Sequence, residues 1–92
     1  MAATAGAVQI VFDMMDSQNR PQPGTKVVLM SLPPGFLNDL PRHDKRAISE
    51  IVGKPITLVE YDADGRAELE FTDESGMIHY IYVKPEFIRP FE

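Results

Sequence analysis

Tyr61-Asp-Ala-Asp-Gly-Arg-Ala-Glu-Leu-Glu-Phe-Thr-Asp-Glu-Ser-Gly-Met-Ile-His-Tyr-Ile-Tyr-Val83 is the stretch whose reading decides the fold. It contains one turn signature twice, Asp62-Ala-Asp-Gly65 and Asp73-Glu-Ser-Gly76. An acidic residue, two small or polar residues and a Gly describe a type I turn followed by a left-handed residue, a common way to reverse a strand. The copies lie eleven residues apart, the spacing of a β-meander. Between them Ala67, Leu69 and Phe71 alternate with Glu68 and Glu70, so one face of the strand is apolar and the other acidic. A three-residue bulged loop at Gly76 sets Phe71 opposite His79 and Leu69 opposite Ile81. Ile81 and Val83 then point inward, and Tyr80 and Tyr82 outward. A loop one residue longer or shorter reverses this.

Working outward, Pro55–Tyr61 reads as the strand before the meander. Lys84-Pro-Glu-Phe87 reads as a tight turn and Ile88–Phe91 as a short last strand weakened by Pro90. Upstream, Val27, Val28, Leu29 and Met30 form an apolar run after Pro23-Gly24 and are expected to be a buried strand, stopped by Pro33-Pro-Gly35. One helix is expected, over about residues 41–52, between the first and second strands. Pro41 is pre-set for a first turn, Gly53 is the expected C-cap, and Ala47, Ile48, Ile51 and Val52 form one stripe. Arg42, Lys45, Arg46 and Glu50 fall on its other face. Residues 1–23 read as a flexible or partly ordered segment, small or turn-rich in composition, with Val8–Phe12 as a marginal edge strand and Met14 or Met15 as alternative natural starts. Residues 24–92 are expected to form the folded domain.

The 92-residue length fits one domain. There is no Cys, so neither a disulfide nor a thiolate metal site is available, a usage compatible with a reducing cytoplasm. No apolar run approaches the ~20 residues of a membrane span. The N-terminus lacks the basic region of a secretory signal. Net charge is −5, and between Glu60 and Glu74 there are seven carboxylates against one base, Arg66. Such a face repels a phosphate backbone, which disfavours nucleic acid as a partner.

No catalytic constellation emerges. Ser occurs at 17, 31, 49 and 75, never beside His or in a Gly-x-Ser-x-Gly elbow. Glu68 and Glu70 alternate outward on an open strand rather than flanking a cleft. Asp62-Ala-Asp-Gly65 has the acidic alternation of a calcium loop. With Glu60 as first ligand, however, Phe71 stands where a bidentate Glu is required. His43 and His79, the two histidines, show no metal-ligand spacing, and no metal or cofactor is expected. Arg42, Lys45 and Arg46, with Lys54 nearby, make a small basic patch without interleaved aromatics. Tyr61, Tyr80, Tyr82, Phe87 and Phe91 are too many aromatics for so small an interior, so some are expected at the surface.

A strand, a long connection, three meandering strands, a one-turn connector and a short last strand resemble a Src-homology-3-like (SH3-like) small barrel, over roughly residues 24 to 91. The best local match is Val83-Lys-Pro-Glu-Phe-Ile88, similar to that fold's proline-containing turn before its last strand. The helix in the first long connection resembles uncharacterised bacterial members. The chain has no Trp, and its first strand reads Lys26-Val-Val-Leu-Met-Ser-Leu32, unlike the Pro-rich-peptide binders. The resemblance implies a mainly β, five-stranded barrel with one short helix. The expected function is a non-enzymatic protein-interaction module. Its contact residues would be Tyr80, Tyr82, Phe87, Glu68 and Glu70, and its partner a protein with a basic or extended segment. A nucleic-acid-binding barrel and an accessory domain completing another protein's site are the alternatives.

Overall fold

The computed structural model describes residues 15, 16 and 18–91. The expectations for Val8–Phe12 and for a start at Met14 lie outside them. Five antiparallel strands form one open sheet: β1 (Lys26–Leu29), β2 (Pro55–Tyr61), β3 (Ala67–Thr72), β4 (Ile78–Val83) and β5 (Ile88–Pro90), in the order β4-β3-β2-β1-β5. Among the described residues one α-helix, α1 (Arg42–Ile51), lies between β1 and β2 in sequence, and a 3₁₀ turn at Pro85–Phe87 precedes β5. No described helix is long and apolar enough to cross a membrane.

The core lies between the sheet and α1. Val27, Leu29, Leu58, Leu69, Val83 and Ile88 from the strands meet Ala47, Ile48 and Ile51 from the helix. That helical triplet is the apolar stripe expected from a 3.6-residue period. Val52 falls outside the helix: it is the C-cap, in extended conformation at φ −61° and ψ 127°. Gly53 is therefore not the cap itself. At φ +86° it turns the chain so that its N–H reaches the carbonyl of Leu29 at 2.9 Å, tying the helix exit to β1. β1 is shorter than its apolar run, and Met30 is exposed beyond its end.

The register of β3 on β4 follows the bulged-loop reading, with Phe71 opposite His79 and Leu69 opposite Ile81. Ala67, Leu69, Phe71, Ile81 and Val83 are buried, while Tyr80 and Tyr82 are exposed. β2 adds what alternation alone does not predict. Its pairing shifts between Leu58 and Glu60, so Val59 is an extra residue against β3. Strict alternation from Leu58 points Glu60 inward. The bulge instead pairs Glu60 with Glu68 on the outer face and Tyr61 with Ala67 on the inner one.

Tyr61 so directed packs against the core and donates its hydroxyl to the Pro21 carbonyl at 2.7 Å. The Arg20 guanidinium lies over its ring, 3.8 Å from the centroid. Within the segment read as flexible, Arg20 and Pro21 are thereby held against the sheet, and Gly24 donates to Leu58 O at 2.7 Å.

The two sheet edges differ. β5 has three residues and includes Pro90, which has no N–H to offer. β4 has six, none a Pro, and its outer side pairs with no other strand among the described residues.

Leu58 is fully buried. Leu58→Ala is expected to cost about 2–5 kcal/mol in urea unfolding, because the cavity in so small a core cannot collapse completely. Burial, opposed by Arg20 and reinforced by Asp16, pushes the Tyr61 phenol up to about 12. The folded chain thus keeps a proton that the unfolded chain loses near pH 10. This contribution is complete below pH 10 and is lost as pH rises to about 12. Unfolding midpoints measured between pH 9 and 12 should fall more steeply for the wild type than for Tyr61→Phe. At pH 7 the Phe variant should be less stable by about 1 kcal/mol, the net worth of one hydrogen bond.

Candidate functional site

Three short loops share one architecture. In each, an Asp side-chain oxygen caps the turn and a left-handed residue closes it. In Asp62–Arg66, Oδ1 accepts the amides of Asp64 (3.0 Å) and Arg66 (2.8 Å), and Gly65, at φ +81°, donates to the Asp62 carbonyl (2.9 Å). In Asp73–Met77, Oδ1 accepts Ser75 (2.8 Å) and Met77 (3.0 Å), and Gly76, at φ +85°, donates to Asp73 O (2.9 Å). In Asp16–Arg20, Oδ1 accepts Gln18 (3.0 Å) and Arg20 (2.8 Å), and Asn19 fills the left-handed position at φ +65°. Asn tolerates that conformation better than most residues, which is why this third copy escapes a search for Gly.

The copies differ at the other carboxylate oxygen. Asp16 Oδ2 takes Arg20 Nε at 2.9 Å, and Asp62 Oδ2 takes Arg66 Nε at 2.8 Å, each from the fifth residue of its own loop. The Asp73–Met77 loop has Met77 at that position. Its Asp73 Oδ2 accepts instead from two imidazoles, His43 Nε2 at 2.9 Å and His79 Nε2 at 2.7 Å. The Asp73 side chain is only 3% exposed. The hydrogen bond from His79 is the main influence on its carboxyl. Burial opposes that bond, but the Met77 amide, His43 and the Ser75 amide reinforce it, and together they hold the carboxyl well below the usual carboxylate range.

His79 is fixed from both sides. Its ring stacks on Phe71 (centroids 5.0 Å, planes 9° apart) and beneath His43 (5.9 Å, 29°). Its other nitrogen, Nδ1, is 3.7 Å from Asp44 Oδ1. His43 and Asp44 come from the first turn of α1, so this cluster joins the helix to the β3–β4 loop. The two histidines, which show no ligand spacing in the sequence, are 36 residues apart and share one acceptor oxygen. The available signal was Met77 standing where the equivalent loop has Arg66.

The expected contact residues fall elsewhere, on the outer face of β3 and β4. Glu68 is paired with Tyr82 and Glu70 with Tyr80. Each tyrosine donates its hydroxyl across the strands, Tyr80 to Glu70 Oε1 at 2.9 Å and Tyr82 to Glu68 Oε1 at 3.0 Å. These bonds to carboxylates raise both phenols above their ordinary range. Tyr80 is 53% exposed and Tyr82 41%. The Arg66 guanidinium sits 5.6 Å from the Tyr82 ring centroid. Phe87 is set apart: it is partly buried against the core and borders a shallow cleft with Tyr82, Pro33, Pro34 and Phe36.

On the inner side, next to the β4 edge that pairs with no other strand among the described residues, a groove is lined by Phe36, Leu40, Ile48 and Ile81 together with Asp44, His79, Tyr80 and Tyr82. Of the basic residues of α1, Arg46 is paired with Glu50 (3.0 Å) and Glu74 (3.3 Å).

Asp73→Asn is expected to move the imidazole resonances of both histidines together in a long-range ¹H–¹⁵N spectrum. Asp62→Asn, a change in the equivalent loop, should leave both unmoved. Compared with protein-family models, curated proteins and solved structures, the chain matches none.

Proposed function

We propose that this chain is a non-enzymatic protein-interaction module that takes a basic, extended segment of a partner along the edge of β4. The observation that carries this reading is the pair of Glu–Tyr cross-strand ladders, Glu68–Tyr82 and Glu70–Tyr80, exposed beside an unpaired strand edge. A tyrosine face backed by a carboxylate attracts a cation through both the ring quadrupole and the charge. Arg66 over Tyr82 is an intramolecular instance of that contact. Strand order, the Pro85–Phe87 turn and the helix-bearing connection support placing the chain among SH3-like small barrels.

Strand addition gives the partner a definite pattern. Successive side chains of an added strand point to opposite faces. One set lies beside Tyr80 and Tyr82, where Lys or Arg suits the acidic surface. The other set faces the groove of Phe36, Leu40 and Ile48, where Val, Ile or Leu suits the apolar lining. The favoured segment therefore alternates basic and aliphatic residues. The same carboxylates disfavour a phosphate backbone.

Titrating the ¹⁵N-labelled full chain with a blocked Lys-Val-Arg-Ile-Lys peptide tests this. Shifts are expected along Ile78–Val83 and at Glu68 and Glu70, weakening as salt is raised. Tyr80→Ala and Tyr82→Ala should each weaken binding about two- to fivefold, the worth of one exposed cation–π contact. Shifts confined to Arg42–Arg46, or an equal response to a Glu-Val-Glu-Ile-Glu peptide, would place the surface elsewhere.

A further inference from the structure

We infer that His43 Nε2, His79 Nε2 and Asp73 Oδ2 form a binding site for a divalent transition-metal cation of the zinc class. This rests on the donor geometry and not on the interaction surface, although His79 and Asp44 also line the groove beside β4. The three donor atoms come from α1, β4 and the β3–β4 loop, and all lie within 4.8 Å of one another. Imidazole with one carboxylate suits zinc, cobalt and nickel, and three protein ligands leave a position for water or another small ligand.

The two sister loops make the case sharper. Asp16 and Asp62 use the same backbone geometry, and each satisfies its second oxygen with a permanently charged Arg that excludes a metal. Asp73 has no such Arg, and two metal-competent imidazole nitrogens meet on its oxygen instead. The supporting atoms are those that hold a metal ligand in place. Ser75 and Met77 amides fix Asp73 through Oδ1, the oxygen that would not bind the ion. His79 Nδ1 points toward the Asp44 carboxylate, 3.7 Å away, as the free nitrogen of a metal-bound histidine commonly does. Phe71 holds the plane of the ring.

The two nitrogen–oxygen separations must widen, and the two Nε2 atoms, within 4.8 Å of each other, must reach a similar spacing. Ligands 2.0–2.1 Å from a tetrahedral zinc lie about 3.3 Å from one another. The present 2.7 and 2.9 Å separations therefore open by roughly half an ångström. His43, 53% exposed at the start of a helix, is free to make that adjustment. On binding, the proton of each imidazole resides on Nδ1, and both Nε2 lone pairs and Asp73 Oδ2 turn to the ion. No redox change is involved.

The test uses the full 92-residue chain without an affinity tag, stripped with a chelator and titrated with ZnCl₂ and CoCl₂ by calorimetry. The cobalt form is followed by its visible absorption, and the imidazole resonances by NMR. One ion per chain is expected, with both histidines shifting and the thermal midpoint rising with zinc concentration. His43→Ala, at an exposed position, should preserve the fold and weaken zinc at least tenfold. His79→Gln and Asp73→Asn should likewise weaken zinc at least tenfold. Three results would overturn the site: no binding at millimolar zinc in the folded chain, zinc affinity unchanged in His43→Ala, or equal binding of magnesium, which would mark a diffuse carboxylate surface.

Discussion

The carboxylate of Asp73, capped by the amides of Ser75 and Met77, holds the register of β3 against β4, and most of the surface depends on that register. With this register Phe71 meets His79, Leu69 meets Ile81, and the two tyrosines of β4 stand outside beside two glutamates. A slip of one residue would bury Tyr80 and Tyr82 and expose Ile81 and Val83. The same side chain presents its second oxygen to the histidines, so one residue both caps the β3–β4 turn and ties the first turn of α1 to it.

The two faces of β4 consequently have separate chemistries. Its outer face is an array of phenols and carboxylates whose hydrogen bonds run between strands. Its inner face carries Ile81 and Val83 into the core and His79 into a stacked, nearly buried position between Phe71 and His43. Within the described core no polar side chain is buried without a partner. The polar groups are gathered at loop ends, where backbone amides and imidazoles can reach them.

The sequence made local features legible because their causes are local. Two Asp-x-x-Gly turns, the alternation of Ala67 to Phe71 and the stripe Ala47, Ile48, Ile51 each follow from a period or a turn type. What escaped depends on partners far away in sequence or on a single inserted residue. The bulge at Val59 reverses the inside-outside parity of β2, and nothing within Pro55–Tyr61 announces it. The Asp16–Arg20 loop escaped because Asn19 replaces the expected Gly. The helix end was misplaced by one residue because Gly53 serves a hydrogen bond to β1 rather than a cap. His43 and His79 meet only once α1 is packed on the sheet, and spacing rules do not register a meeting made by tertiary structure.

The unequal edges of the sheet bear on how copies of this chain can associate. Open-ended growth by strand pairing needs two usable edges, one to accept the next copy and one to be accepted. Here β5 is three residues long and carries Pro90, whereas β4 is six residues long and pairs on its outer side with no strand among the described residues. Pairing through β4 alone consumes the usable edge of both molecules and stops at a two-fold pair. An exposed edge that is ordinarily an aggregation hazard is thus opposed, across the described sheet, by a proline-bearing edge that offers the next copy little to pair with.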